Sequence, residues 1–205
     1  MNYITKNISM VFSMLLLTIT LSGCASLLVG GAATVGVATV QERTLKDAAK
    51  DLEIKLFIED QLFRTDTEKL FSRVSVTVIE QRVMLIGNVA SNKIKDKAAE
   101  IAWKAPGVFE VLNEILIKED FSLIESAKDA RISVTLSGLL ITDASISDIN
   151  YYHSVSDQII YVIGIAQDKE ELKRVLLHSR TIKGVKKVIS HVILKTDKKR
   201  SVDNN

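Results

Sequence analysis

The chain is poor in the residues that build chemistry: one cysteine, three histidines, one tryptophan and one proline in 205 residues. A single cysteine excludes an internal disulfide framework. It leaves three readings for Cys24: a spare thiol, half of an intermolecular bridge, or a place where the chain is cut and modified. His153, His178 and His191 form no i, i+4 ligand pair, and no close Cys/His constellation suits zinc or redox work. His153 falls at an inward strand position, as a half-buried ring. A phosphate loop is missing too, because Gly87-Asn88-Val89-Ala90-Ser91 lacks the second glycine and the lysine-threonine end. Carboxylates such as Asp96 and Glu100 sit on an alternating-charge helix and read as a solvated face. The expectation is a protein that is not an enzyme, with no metal and no dissociable cofactor. Trp103 is expected to pack near a helix end. The longest apolar run, Ile8 to Leu21, is about 14 residues, short of the roughly 20 needed to span a bilayer.

That run has an identity of its own. Lys6 is the only charge before Cys24, and small residues close the apolar core, which is the layout of a secretory signal. Residues 1–23 are therefore set apart from the fold. Leu21-Ser22-Gly23-Cys24 resembles the bacterial lipobox, where cleavage leaves the cysteine as the new N-terminus. The resemblance implies a diacylglycerol on the Cys24 sulfur and an acyl chain on its amine. One acyl chain anchors only marginally, whereas two or more hold stably. Ala25 follows the cysteine rather than the aspartate of inner-membrane retention, which implies the outer membrane of a Gram-negative cell, with the protein facing the periplasm. Ser26 to Val40 carries no charge and is rich in Gly, Ala and Val, so residues 24–44 read as a lipidated tether.

Charge is unevenly placed. From Cys24 to Ile165 there are 15 Lys and Arg against 20 Asp and Glu; from Ala166 onward there are 11 against 5. Such a basic end suits an anionic membrane surface, and export makes nucleic acid an implausible partner.

The body of the chain is a repeat. QRVMLIGNV at Gln81 returns as QIIYVIGIA at Gln158, and the segments from Ala105 and Ile182 match at the same offset of 77. Upstream, Ile54, Ile58 and Leu62 recur as Ile132, Leu136 and Leu140 at an offset of 78, so one residue is missing after the second copy's first helix. Apolar residues at i, i+4 and i+8 predict a helix at the start of each copy. Val74, Val76 and Val78 alternate as one strand face, with Tyr151, His153 and Val155 in the second copy. Turns at Glu80-Gln81 and Asp157-Gln158 lead into near-continuously apolar strands, which implies cover on both faces. A second helix follows, with Gly107 and Gly184 just past its end, where glycine suits a left-handed cap. A last strand alternates through Val111, Ile115 and Ile117, or Val188, Val192 and Leu194, with interruptions. The expected fold is α+β: two α-β-β-α-β units, each a three-stranded sheet with two helices on one face.

This order, with Gly87 and Gly164 ending a strand before a helix and Gly107-Val108 and Gly184-Val185 after one, resembles the BON domain. The resemblance spans about Asp47 to Lys195 and places one domain at 45–119, a second at 120–196 and a polar tail at 197–205. With the lipobox, the layout is similar to dual-BON outer-membrane lipoproteins. It implies binding of anionic phospholipid by the second copy and a role in envelope integrity. The residues assigned to that contact are Lys128 and Arg131 in its first helix, with Lys173, Arg174, Arg180, Lys183, Lys186 and Lys187. Ala127 and Ala130 stand where an aromatic anchor is expected. The alternative reading is a protein-interaction module, with sheet edges and an acidic first domain docking onto outer-membrane protein assembly machinery or a periplasmic client.

Overall fold

The structure, a computed structural model, describes residues 44–118, 122–198 and 200. The expected signal segment, Cys24 and residues 25–43 of the tether lie outside these residues. The first unit runs α1 (Leu45–Thr65), a π turn (Thr67–Phe71), β1 (Val74–Ile79), β2 (Arg82–Val89), α2 (Asn92–Trp103), β3 (Glu110–Asn113) and β4 (Leu116–Ile117). The second runs α3 (Leu123–Thr142), a 3-10 turn (Asp148–Asn150), β5 (Tyr151–Ser156), β6 (Ile159–Ala166), α4 (Lys169–Thr181) and β7 (Lys187–Leu194). The one-residue difference falls in the first helix itself, 21 residues in the first copy and 20 in the second, and not in the loop expected to carry it: the segments joining it to the first strand, 66–73 and 143–150, are equally long.

Local chemistry starts the helices. Thr44 and Asp47 form a capping box at α1, the Asp47 N–H donating to Thr44 Oγ1 at 3.1 Å and the Thr44 N–H donating to Asp47 Oδ2 at 3.2 Å. Asp168 caps α4 by accepting from the Glu171 N–H at 2.8 Å. The inward face of each first helix is Ile54, Ile58 and Leu62, or Ile132, Leu136 and Leu140, all at most 3 % exposed.

The sheets repeat residue for residue. β1 lies antiparallel to β2 with Val74 opposite Gly87, and β5 to β6 with Tyr151 opposite Gly164. The last strand is parallel to the central one in both copies, Arg82 opposite Glu110 and Ile159 opposite Lys187. In the first copy this strand pauses at Glu114-Ile115 and resumes as β4 in the same register, Asn88 opposite Leu116. In the second it is continuous from Lys187 to Leu194.

Three apolar clusters result. Two are the expected cores, one between α1, α2 and the first sheet, the other between α3, α4 and the second. The third lies between the sheets: Ile79, Met84 and Ile86 pack with Tyr161, Ile163, Ile165 and Ile193. The central strands are thus covered on both faces, as their apolar runs imply, and the second cover is the other copy. The described residues form four layers: helices, sheet, sheet, helices.

Polar contacts seal the seam between the sheets. Arg82, 4 % exposed, donates through Nε to Glu110 Oε2 at 2.7 Å and through Nη1 to the His191 carbonyl at 2.8 Å. His191 Nε2 lies 2.9 Å from Glu114 Oε1, a pair formed by equivalent positions of the two copies. Arg200 reaches back to the Glu80 carboxylate at 2.8 Å.

Candidate functional site

The basic residues assigned from sequence all lie in the second unit and are all exposed, but they do not form one patch. α3 turns Ile132, Leu136 and Leu140 inward, which leaves Lys128 and Arg131, one turn apart, at its surface. Arg131 Nη2 donates to the Lys183 carbonyl at 2.6 Å, tying the middle of α3 to the turn after α4. Gly184, at φ +97°, makes that turn, and a Cβ there would meet Arg131 Nη2 at 3.1 Å. The next residues enter β7: the Lys186 N–H donates to the Gln158 carbonyl at 2.9 Å, and its ammonium lies 3.5 Å from Asp157. Arg131, Lys183, Lys186 and Lys187 therefore collect at one end of the unit, with Lys128 one helical turn away. Arg180 is close by in sequence, in the last turn of α4.

Arg174 belongs elsewhere. It lies 3.3 Å from Asp143, which follows the last residue of α3, and lines a hollow of about 380 Å³ with Asp168, Glu170 and Glu171. Asp143 also meets His178 Nε2 at 2.9 Å, and that hydrogen bond holds its carboxyl below the usual range. Arg174 is engaged with acid rather than presented beside the other cations. Lys173 precedes it on α4.

What the sequence reasoning missed is apolar. The outward face of α3 exposes Leu123, Ile124, Val134 and Ile141, each by two thirds or more of its surface, and Leu177 of α4 is 59 % exposed. Ala127, Ala130 and Gly138 fall on the same face. A signal was present, since these positions keep the 3.6-residue period opposite the buried face. Trp103 corrects an expectation in the same sense: it is 56 % exposed rather than packed. It is the last residue of α2, turned away from the face that buries Ala98, Ile101 and Ala102.

A broad cleft of about 580 Å³, open to solvent, separates the β1 start from α3 and β5; Arg73, Asp129, His153 and five serines line it. His153 Nε2 lies 3.1 Å from the Ser133 carbonyl and 3.2 Å from Ser133 Oγ. A carbonyl only accepts, so Nε2 carries the proton and is not a base for the serine. Burial holds the His153 imidazole below its ordinary value, partly opposed by the bond to Ser133. In the unfolded chain the ring takes a proton near pH 6.5, whereas in the fold it resists. The unfolded state then binds more protons, and stability falls as the pH drops below about 6.5. Thermal melts at pH 7.5 and 5.5 should show a smaller acid-induced loss for His153→Gln than for the parent; an equal loss removes His153 as its cause.

No group of three or more His, Cys, Asp or Glu able to hold a metal occurs among the described residues. Nor is any described helix long and apolar enough to cross a membrane.

The central strands run on to Val89 and Ala166, past the glycines expected to end them. Two helix-backed three-stranded sheets with Gly87 and Gly164 at equivalent strand positions, and Gly107 and Gly184 after the second helices, define a class: the chain belongs to the BON-domain family. The family model, described as "BON domain", matches residues 58–119, within the first unit. The second unit is assigned by the repeat and the identical strand pairing. Over 172 residues the chain is 26 % identical to the outer membrane lipoprotein DolP of Haemophilus influenzae, covering 84 % of this chain and 89 % of that one. It is 38 % identical over 151 residues to an Anaplasma centrale protein described as an uncharacterized protein in the gshII 5′ region, covering 73 % of this chain and 98 % of the relative. Among solved structures, the C-terminal domain of CdsD, the structural protein of the type III secretion system of Chlamydia trachomatis, aligns over 70 % of this chain and 66 % of that one, at 16 % identity and TM-score 0.29. A likeness at that score carries no argument.

Proposed function

We propose that the protein is a non-enzymatic outer-membrane lipoprotein, triacylated at Cys24 and facing the periplasm, whose second BON domain binds anionic phospholipid in support of envelope integrity. The observation that carries this reading is the meeting of charge and grease on one unit. Arg131, Lys183, Lys186 and Lys187 stand at the end of a helix layer whose outer face exposes Val134, Ile141 and Leu177. Basic side chains beside exposed apolar ones suit the headgroup boundary of an anionic bilayer, each nearby cation contributing about 1 kcal/mol. The likeness to a relative named as an outer membrane lipoprotein supports the compartment. The lipobox-like LSGC supports the anchor.

Two experiments test the reading. Residues 44–205, free of any acyl chain, should float with phosphatidylglycerol vesicles at low salt and detach at high salt. Lys183→Glu with Lys187→Glu should weaken that binding by at least about 30-fold, equivalent to ~2 kcal/mol. Unchanged flotation rejects the patch. For the anchor, Cys24→Ala should release the protein from the outer membrane fraction, and retention there rejects the acylation site.

A further inference from the structure

The apolar face of α3 has a counterpart. Leu123, Ala127, Ala130, Val134 and Ile141 align, 78 residues earlier, with Leu45, Ala49, Leu52, Leu56 and Phe63 of α1. Those too are exposed, Leu45 by 69 %, Leu52 by 54 %, Leu56 by 56 % and Phe63 by 52 %. The first copy carries the larger side chains. With Glu59, the series 45, 49, 52, 56, 59, 63 keeps the alternating 4-3 spacing of a helix–helix seam over about three heptads.

From the layering and this spacing we infer that α1 is a self-association surface, pairing antiparallel with α1 of a second copy about a two-fold axis. The proposal rests on the reading above in two respects: α3 lies against the bilayer and Cys24 is acylated, the second checked by the parent protein, which should give no disulfide-linked dimer under the same oxidation. The two stripes face outward from opposite ends of the four layers, so a flat membrane that meets α3 does not meet α1. Charge points the same way. α1 carries four cations against five acids, and Lys55 and Arg64 are bonded to Glu59 and Asp60 on their own helix at 2.6 and 2.7 Å. That is not the basic rim that an anionic surface attracts.

The spacing is also self-complementary. Reversed, the series reads with the same intervals, so antiparallel pairing sets Leu52 against Leu56′, Leu45 against Phe63′ and Ala49 against Glu59′, where the prime marks the second copy. On one flank, Lys46 meets Asp60′ on either side of the two-fold, with Glu53 facing Glu53′ between these two pairs. A like patch meeting itself about a two-fold closes as a dimer and does not propagate. Thr44 is 20 residues along the chain from Cys24, a separation that spans up to about 65 Å when extended. That exceeds the three layer spacings of about 10 Å between the α3 and α1 levels.

The test uses the full-length acylated protein in its own membrane, where acylation occupies the Cys24 sulfur and introduced thiols are the only free ones. Under mild oxidation, Leu52→Cys with Leu56→Cys should yield a disulfide-linked species of twice the monomer mass, as should Leu45→Cys with Phe63→Cys. Leu45→Cys alone should stay monomeric. Adding Ala49→Glu to the Leu52→Cys/Leu56→Cys protein sets two carboxylates face to face and should abolish the dimer; Ala49→Lys, opposite Glu59′, should preserve it. Ala49 is exposed, so neither change disturbs the core. Four outcomes overturn the proposal: a monomer whose thiols react freely with maleimide, a dimer from Leu45→Cys alone, cross-linking to a protein of another mass, or quenching of bimane on these thiols by spin-labelled lipid. Vesicle flotation of residues 44–205 with Ala49→Glu should match the parent. It reads the lipid reading separately, so failure of one is not mistaken for failure of the other.

Discussion

Gly87→Ala should lower the stability of the protein by about 3–5 kcal/mol, a fall of roughly 10 °C or more in melting temperature for a chain of this size. Gly87 stands opposite Val74, the first residue of β1, and a Cβ built on it would lie 1.9 Å from the Arg73 carbonyl oxygen. The obstacle is backbone that enters a strand immediately afterwards, so it cannot swing aside as a side chain does. Its φ of +148° adds strain that any L side chain would carry. Gly164 repeats the arrangement: a Cβ there would lie 2.2 Å from the Asn150 carbonyl oxygen. Gly164→Ala should therefore destabilise as well. Gly138 supplies the opposite sign in the same experiment. It lies inside α3 with nothing within 4 Å of an added Cβ, so Gly138→Ala should stabilise by about 0.5–1 kcal/mol. Melts of the three variants check the set; a Gly87→Ala melt within 2 °C of the parent rejects the close-approach argument.

The next largest effect should come from two carboxylates that join helix to hairpin. Glu80 and Gln81 lie at φ +48° and +62°, and Asp157 and Gln158 at +53° and +63°. Both turns thus have the two left-handed residues of a type I′ hairpin, which asparagine and glycine normally fill. Here the conformation is held from outside. Asp51 of α1, 3 % exposed, accepts from the Glu80 and Gln81 N–H groups, both at 2.8 Å. Asp129 of α3 does the same for Asp157 and Gln158, at 2.9 and 2.8 Å. Hydrogen bonds to a charged group contribute about 1.5–3 kcal/mol each, so Asp51→Ala or Asp129→Ala should cost about 3–4 kcal/mol. Asn is no remedy, because its amide end faces an N–H. Gln81→Gly should recover about 1 kcal/mol in the Asp51→Ala background by relieving the left-handed strain. Equilibrium unfolding in urea reads all three. A loss under about 1 kcal/mol for both Asp→Ala variants shows that the turns hold themselves.

These carboxylates mark the limit of what could be read in one dimension. Lys50-Asp51 and Lys128-Asp129 repeat at the same offset as the buried helix residues. The repetition is visible, but nothing in a helical period says that an acid on its edge will reach two amides about 29 residues onward. The cations behaved alike. Lys183, Lys186 and Lys187 are neighbours in sequence and remained so in space, whereas Arg174 went to Asp143 because α4 runs back along α3 and carries its two ends to different surroundings. Trp103 was misjudged because apolar character sets a preference for burial, while its place on α2 turned it outward.

Helices, hairpins and the order of elements along the chain followed from short-range rules: apolar residues at 3.6 or 2 positions, and glycines held at one offset. Those rules are local, so they survive in a linear string, and a duplicated pattern states them twice. Burial is different. Met84, Ile86, Tyr161 and Ile163 announce that they leave water, but a hydrophobic side chain carries no address for what it meets. That the hidden face of each sheet is closed by the other copy, and that the two first helices are left looking outward on opposite sides, came only from folding two similar units against each other.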